Sequence, residues 1–161
     1  GLMVGVSETL FRPDGVLTRG QLVTILYRLA GEPEVADFEN PFTDIGTDFY
    51  YTKAVLWAAH YGIVEGVSET EFAPHHVATR EQMATFLYRY ADYTGLRTEA
   101  EADLSQFADA DSISRWAREA MTWAVGTGLL QGVSDTRLSP RGTALRAQFA
   151  TVMMRFSNGS R

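Results

Sequence analysis

Three arginines, Arg19, Arg80 and Arg146, each stand six residues beyond a proline that closes one repeated nonapeptide frame. Its copies read Gly5-Val-Ser-Glu-Thr-Leu-Phe-Arg-Pro13, Gly66-Val-Ser-Glu-Thr-Glu-Phe-Ala-Pro74 and Gly132-Val-Ser-Asp-Thr-Arg-Leu-Ser-Pro140. A guanidinium offers paired N–H groups that grip a carboxylate with two parallel hydrogen bonds. The competing use of such a side chain is a local ion pair at a helix start, or a stem laid over a helical bundle. The chain has a single lysine, Lys53, and a net charge of -6. Any anion must therefore be captured by placed arginines and backbone amides, not by a broad positive field. The same acidic balance argues against nucleic acid as the main partner.

Other chemistries find little support. There is no cysteine, hence no disulfide framework, thiolate nucleophile or cysteine-based metal site. His60, His75 and His76 lack the third ligand and spacing of a metal centre. No phosphate-cradling glycine loop or nucleophile elbow occurs, and no carboxylate pair is marked out for acid and base work. No metal, cofactor or catalytic residue is therefore expected. No apolar run reaches the roughly 20 residues of a membrane span, and no signal-peptide pattern opens the chain. Any export signal is expected to lie before Gly1.

These arginines need elements to position them. Thr18 and Thr79 are expected N-caps, with Gln21 and Gln82 three residues on completing capping boxes. In the third copy Leu145 replaces the threonine, so that helix must start frayed or be capped differently. The helices that follow carry apolar stripes: Leu22, Ile25, Leu26 and Leu29; Met83, Phe86, Leu87 and Tyr90; Phe149, Val152, Met153 and Phe156. Three equivalent amphipathic helices are best satisfied by packing on one another. A shorter helix precedes each full copy of the frame. It bears Ala54, Trp57, Ala58 and Tyr61 in one unit and Ala120 and Trp123 in the other, and Gly62 and Gly128 stop it in the left-handed conformation. The expected fold is mainly α, a pseudo-threefold repeat array around a central helical bundle, each repeat a helix-loop-helix. Repeat one spans 1–31 and holds only a second half; repeat two spans 42–91 and repeat three 107–156. One such unit buries too little surface to stand alone, so residues 1–161 are expected to form a single domain with a shared core. The stretches Gly31 to Pro41 and Asp92 to Gln106 read as surface crossings.

Phe42-Thr-Asp44, Trp57-Ala58, Gly62-Ile-Val-Glu-Gly66, Phe72-Ala-Pro74 and Thr79-Arg-Glu-Gln82, taken in that order, resemble the S-layer homology domain. The resemblance covers nearly the whole chain. It implies grooves between repeats and a non-catalytic anchor that holds an exported protein to acidic, pyruvylated secondary cell-wall polysaccharide at a bacterial surface, cell wall or S-layer. Carried across by motif, Arg19 and Arg80 match the ligand-contacting arginine. Asp44, Trp57 and Gly66, with Asp109, Trp123 and Gly132, match groove positions. Arg146 has the spacing but not the preceding threonine. Repeat one lacks its Phe-x-Asp and first helix, so the resemblance implies two usable grooves: Arg19 with the front half of repeat two, Arg80 with that of repeat three. Arg146 would face a missing half, a gap for another chain to fill.

Several of these residues have plainer uses. Trp57 and Trp123 either cover a sugar ring or anchor the core. Asp44 and Asp109 either bind sugar hydroxyls or cap free amides. Gly66 and Gly132 need no ligand to justify a tight turn. Trp116, at the entrance of the third unit's first helix, is expected to be a packing residue. The alternative function is a cell-surface protein-interaction or assembly domain that kept the scaffold and lost glycan binding. A wall-modifying enzyme is a third class, and would need a catalytic constellation that the motifs do not supply.

Overall fold

Thr18 and Thr79 accept the amides of Gln21 and Gln82 at 3.1 and 3.2 Å. The two glutamine side chains accept the threonine amides in return, each at 3.0 Å. Both capping boxes are thus complete, and they open α1 (Arg19–Leu29) and α3 (Arg80–Thr94). At the equivalent start of α5 (Arg146–Gly159) the Leu145 amide donates to Gln148 Oε1 at 3.0 Å, so half the box survives without its hydroxyl. The shorter helices are α2 (Thr52–His60) and α4 (Arg118–Gly126). Gly62 and Gly128 follow them at φ of 71 and 77°, the left-handed stop that the sequence implies. The structure is a computed structural model that describes residues 15–95 and 99–159, with the side chains of α5 described as far as Met154. The first nonapeptide, Gly5 to Pro13, and the Phe156 side chain lie outside the described residues.

The apolar stripes form the core. Leu22, Ile25 and Leu26 of α1, Met83, Phe86, Leu87 and Tyr90 of α3, and Phe149, Val152 and Met153 of α5 are all buried. In α2, Ala54, Trp57 and Ala58 are buried, but Tyr61 of the same expected stripe is exposed. The helix ends at His60, so Tyr61 leaves the helical register and packs its ring beside His60 and Phe38.

The closest helix pairs straddle the sequence repeats: α2 lies along α1, and α4 along α3, while α1 and α3 meet over a shorter stretch. The second helices are therefore not one another's main partners; α1 and α3 each pack chiefly on the first helix of the next unit. What ties their starts together is backbone. Leu17 N–H donates to Ala144 C=O at 3.2 Å, Ala144 N–H to Ala78 C=O at 2.9 Å, and Ala78 N–H to Leu17 C=O at 2.7 Å, closing a three-membered ring with all three residues fully buried. These contacts make only isolated bridges, and no β-sheet forms among the described residues. The result is a mainly helical bundle of repeated helix-loop-helix units.

A second tie consumes the helix starts. The amides of Arg19 and Gly20 donate to His76 and Pro74 carbonyls at 2.9 and 2.8 Å, and those of Arg80 and Glu81 to Gly142 and Pro140 at 2.9 and 2.8 Å. Helix N-termini normally leave such donors free for anions. Here the next unit's turn takes them, and the side chains are left to do any anion capture. No described helix is long and apolar enough to cross a membrane.

Candidate functional site

Arg19 occupies the first position of α1, and its side chain reaches across the unit boundary. Nε–H donates to Phe72 C=O at 2.9 Å and Nη2–H to Glu65 C=O at 2.8 Å, bracketing the Gly66 turn. Arg80 repeats the geometry: Nε–H donates to Leu138 C=O at 2.8 Å and Nη2–H to Gln131 C=O, bracketing the Gly132 turn. Arg19 meets repeat two and Arg80 meets repeat three. The Arg19 residue is 3 % exposed, with its guanidinium carbon 4.6 Å from the Phe72 ring centroid and 5.2 Å from that of Phe86. Such faces stabilise a cation that has lost water. Burial pushes the Arg19 pKa down to about 10, with Asp44 pulling the other way. Burial lowers that of Arg80 too, against the pull of Asp109. A value of about 10 leaves Arg19 positively charged at neutral pH.

Asp44 and Asp109 hold the same turns from the opposite side. Asp44 accepts the amides of Phe72 and Ala73 at 2.9 and 2.7 Å, and Asp109 those of Leu138 and Ser139 at 2.9 and 2.8 Å. They cap amides, but amides of a distant turn and not of a helix. Ala73 and Ser139 sit at φ of 60 and 52°, a left-handed conformation that L side chains resist, and the paired carboxylate bonds hold it in place. Burial alone would raise the Asp109 carboxyl; the Leu138 and Ser139 amides and the Arg137 charge outweigh it and hold the pKa below the ordinary value.

Gly66 and Gly132 are required by close approach. A Cβ on Gly66 would run into the Ser68 and Glu71 carbonyls and the Phe42 ring, and one on Gly132 into the Ser134 and Arg137 carbonyls and Phe107.

Above each arginine lies a groove. The first, about 370 Å³, is lined by Arg19, the Glu65-Gly66-Val67 turn, Gln82, Phe86 and Arg89 of α3, and Trp116. The second, about 200 Å³, is lined by Arg80, Gln131, Gly132 and Val133, and by Gln148, Thr151 and Val152 of α5. Glycine, valine and glutamine recur at matching positions in both. Arg89 adds a second cation at the rim of the first groove, 3.6 Å from the exposed Glu65 carboxylate.

The two expected tryptophans are elsewhere. Trp57 has no exposed surface and packs against Tyr27, Tyr90 and Tyr93; Trp123 is 5 % exposed and packs on Tyr88. Neither ring lines either groove, so both serve the core. Trp116, expected to pack, is instead 54 % exposed and forms a wall of the Arg19 groove. The sequence carries a signal for this: alignment of the two first helices sets Trp116-Ala117 against Tyr50-Tyr51. The first position is an exposed aromatic in both, Tyr50 being as open as Trp116, while the second is buried in both and shrinks from Tyr51 to Ala117. Arg146 is buried and its amide donates to Gly15 C=O at 3.0 Å, matching the backbone of Arg80. The turn that its side chain would bracket by analogy, around Gly5, lies outside the described residues. Among the described residues no acidic, histidine or cysteine cluster could hold a metal.

Residues 41–84 and 106–150 match the S-layer homology domain family. The chain is 34 % identical over 158 residues to a surface-layer 125 kDa protein of Lysinibacillus sphaericus, covering 96 % of this chain and 13 % of that protein. It is 32 % identical over 152 residues to an endoglucanase of Bacillus sp. (strain KSM-635), covering 94 % of this chain and 16 % of the relative. A cellulosome-anchoring protein of Acetivibrio thermocellus is 23 % identical over 154 residues, 94 % of this chain and 34 % of the relative. The chain thus spans a small fraction of the length of the relatives it matches.

Proposed function

The chain belongs to the S-layer homology domain family, and we propose that it binds an acidic, pyruvylated secondary cell-wall polysaccharide, anchoring a larger protein to the wall. Family membership makes it a non-catalytic module of the bacterial cell surface. The finer reading rests on one observation: two grooves of the same construction each have a buried, charged guanidinium at the base, beside a glycine turn and an exposed valine. A ketal-linked pyruvate carries a carboxylate and a methyl group on one carbon. A cation and an apolar side chain set next to each other suit that pair. Arg89 at the first rim supplies a second donor to the carboxylate, and Gln82 and Gln148 face the sugar hydroxyls. The repeat boundaries 1–31, 42–91 and 107–156 belong to the same proposal, with ligand held between repeats. Two sites on one chain make the second engagement effectively intramolecular along a polymer.

The test is isothermal titration of the wild type with cell-wall polysaccharide, native and stripped of its acidic ketals. Removal of the ketals is expected to weaken binding by about tenfold or more, the scale of one charge-assisted contact. Arg89→Gln, on a half-exposed side chain, is expected to weaken binding of the native polymer and leave the melting temperature unchanged. Arg19→Ala is the wrong probe, because it also removes the donors that hold the Gly66 turn. Equal affinity for the two polymers would overturn the proposal.

A further inference from the structure

Glu81 is 2 % exposed, yet it is a carboxylate in the first turn of α3. Its oxygens accept two bonds from one residue: Ser114 O–H donates to Oε1 at 2.8 Å and Ser114 N–H to Oε2 at 3.1 Å. Among the described residues its ion-pair partner is Arg141, with Nε 3.9 Å away on a largely exposed side chain. Burying a carboxylate with so little charge compensation is costly. The repeat itself does not demand it, because Gly20 and Ala147 hold the equivalent positions in α1 and α5. At Gly20 an added Cβ would lie 3.4 Å from the Tyr51 ring. Tyr51 fills in repeat two the space that Glu81 fills beside Ala117 in repeat three.

Ser114 is the N-cap of the short 3-10 helix Arg115–Ala117, which carries Trp116. The Ala117 amide donates back to Ser114 C=O at 2.9 Å, so fixing Ser114 fixes the turn that presents the indole. We propose that Glu81 is a positioning residue: through Ser114 it holds Trp116 upright as the wall of the Arg19 groove and makes that groove the tighter of the two sites. Its consequence for affinity rests on the carbohydrate reading above; its consequence for Trp116 does not. Glu81 lines neither groove. Its helix start is tied by its own amide to Pro140, so α3 does not depend on the carboxylate for its position.

Two measurements test this. Trp57 and Trp123 are buried, so the fluorescence that acrylamide quenches in the ligand-free protein reports Trp116. Glu81→Ala is expected to raise the quenching constant of that accessible class and lower its anisotropy. Glu81→Gln, which keeps an acceptor for Ser114, is expected to restore both. Should Glu81→Ala fail to fold, Ser114→Ala removes the hydroxyl bond alone and is expected to shift the same readouts in the same direction. In titrations with native polysaccharide, Glu81→Ala is expected to weaken the tighter of two binding events by about tenfold. In a Trp116→Ala background it is expected to change nothing. Unchanged quenching and anisotropy in both alanine variants would overturn the latch, as would an equal loss of affinity with and without Trp116. A wild type that ignores the polymer would sink the carbohydrate reading, while the ligand-free fluorescence would still decide whether Glu81 holds Trp116.

Discussion

The Arg19 and Arg80 grooves have the same floor and different walls. Each floor is a guanidinium bridging two carbonyls, faced by an aspartate bridging two amides, around a glycine that no other residue could replace without a clash. The walls diverge: Glu65 and Phe86 in one groove correspond to Gln131 and Val152 in the other, and Trp116 has no counterpart among its described lining residues, none of which is aromatic. The floor is a folding device that each repeat boundary needs, so its parts recur. The walls carry fewer of the bonds that tie one repeat to the next, so they differ more. Among the described residues the Arg19 groove is the roomier and the more aromatic, and its rim carries the Arg89–Glu65 ion pair.

The sharpest way to break this comparison is at the floor. Arg19→Ala and Arg80→Ala should each cost about 3 to 5 kcal/mol in chemical denaturation, because two carbonyls at each site lose a donor. Similar losses support equal floors; a loss at one site alone would show that only that floor is structural. Next, Asp44→Asn and Asp109→Asn should each cost about 2 kcal/mol by weakening a pair of charge-assisted bonds. Asp109 has an acid signature as well. Its folded pKa lies below the ordinary 3.8, so its contribution is complete above that value and is withdrawn as pH falls through and below it. Asp109→Asn should therefore flatten the acid limb of a stability–pH curve. At the wall, Trp116→Ala should weaken one of two binding events by about tenfold while shifting stability by less than about 0.5 kcal/mol, as befits an exposed side chain. Loss of both events together would mean that the grooves are not independent. The smallest effect is expected from Leu145→Thr, which supplies the missing cap hydroxyl at α5, the flank of the Arg80 groove. A gain of about 0.5 to 1 kcal/mol in denaturation is the expected result.

Floor and wall also differed in how far they could be read from the chain. The Thr18-Arg19-Gly-Gln21 and Thr79-Arg80-Glu-Gln82 texts announce their caps because a capping box is complete within four residues. The left-handed stops at Gly62 and Gly128 are equally local. Asp44 was ambiguous because its partners, Phe72 and Ala73, are brought to it only when the turn folds back. The tryptophans were harder. Helical spacing with alanine marks Trp57 as apolar-facing, but whether that face meets core or groove depends on α2 lying along α1, which no local pattern encodes. Trp116 reads as a packing residue because aromatic side chains at helix entrances usually pack. Its exposure follows from Ala117, Ser114 and Glu81 together, and Glu81 belongs to a different repeat.

The ring of bonds among Leu17, Ala78 and Ala144 carries a consequence for the order in which the chain assembles. Two of its joints link neighbouring repeats, but the third joins Leu17 to Ala144 and encloses most of the polypeptide. A closure across so long a loop is entropically the costliest, and it has no partner until the last repeat has been made. During synthesis the entry to the first helix pairs with repeat two while the Leu17 N–H waits for Ala144, and the ring closes in one late step.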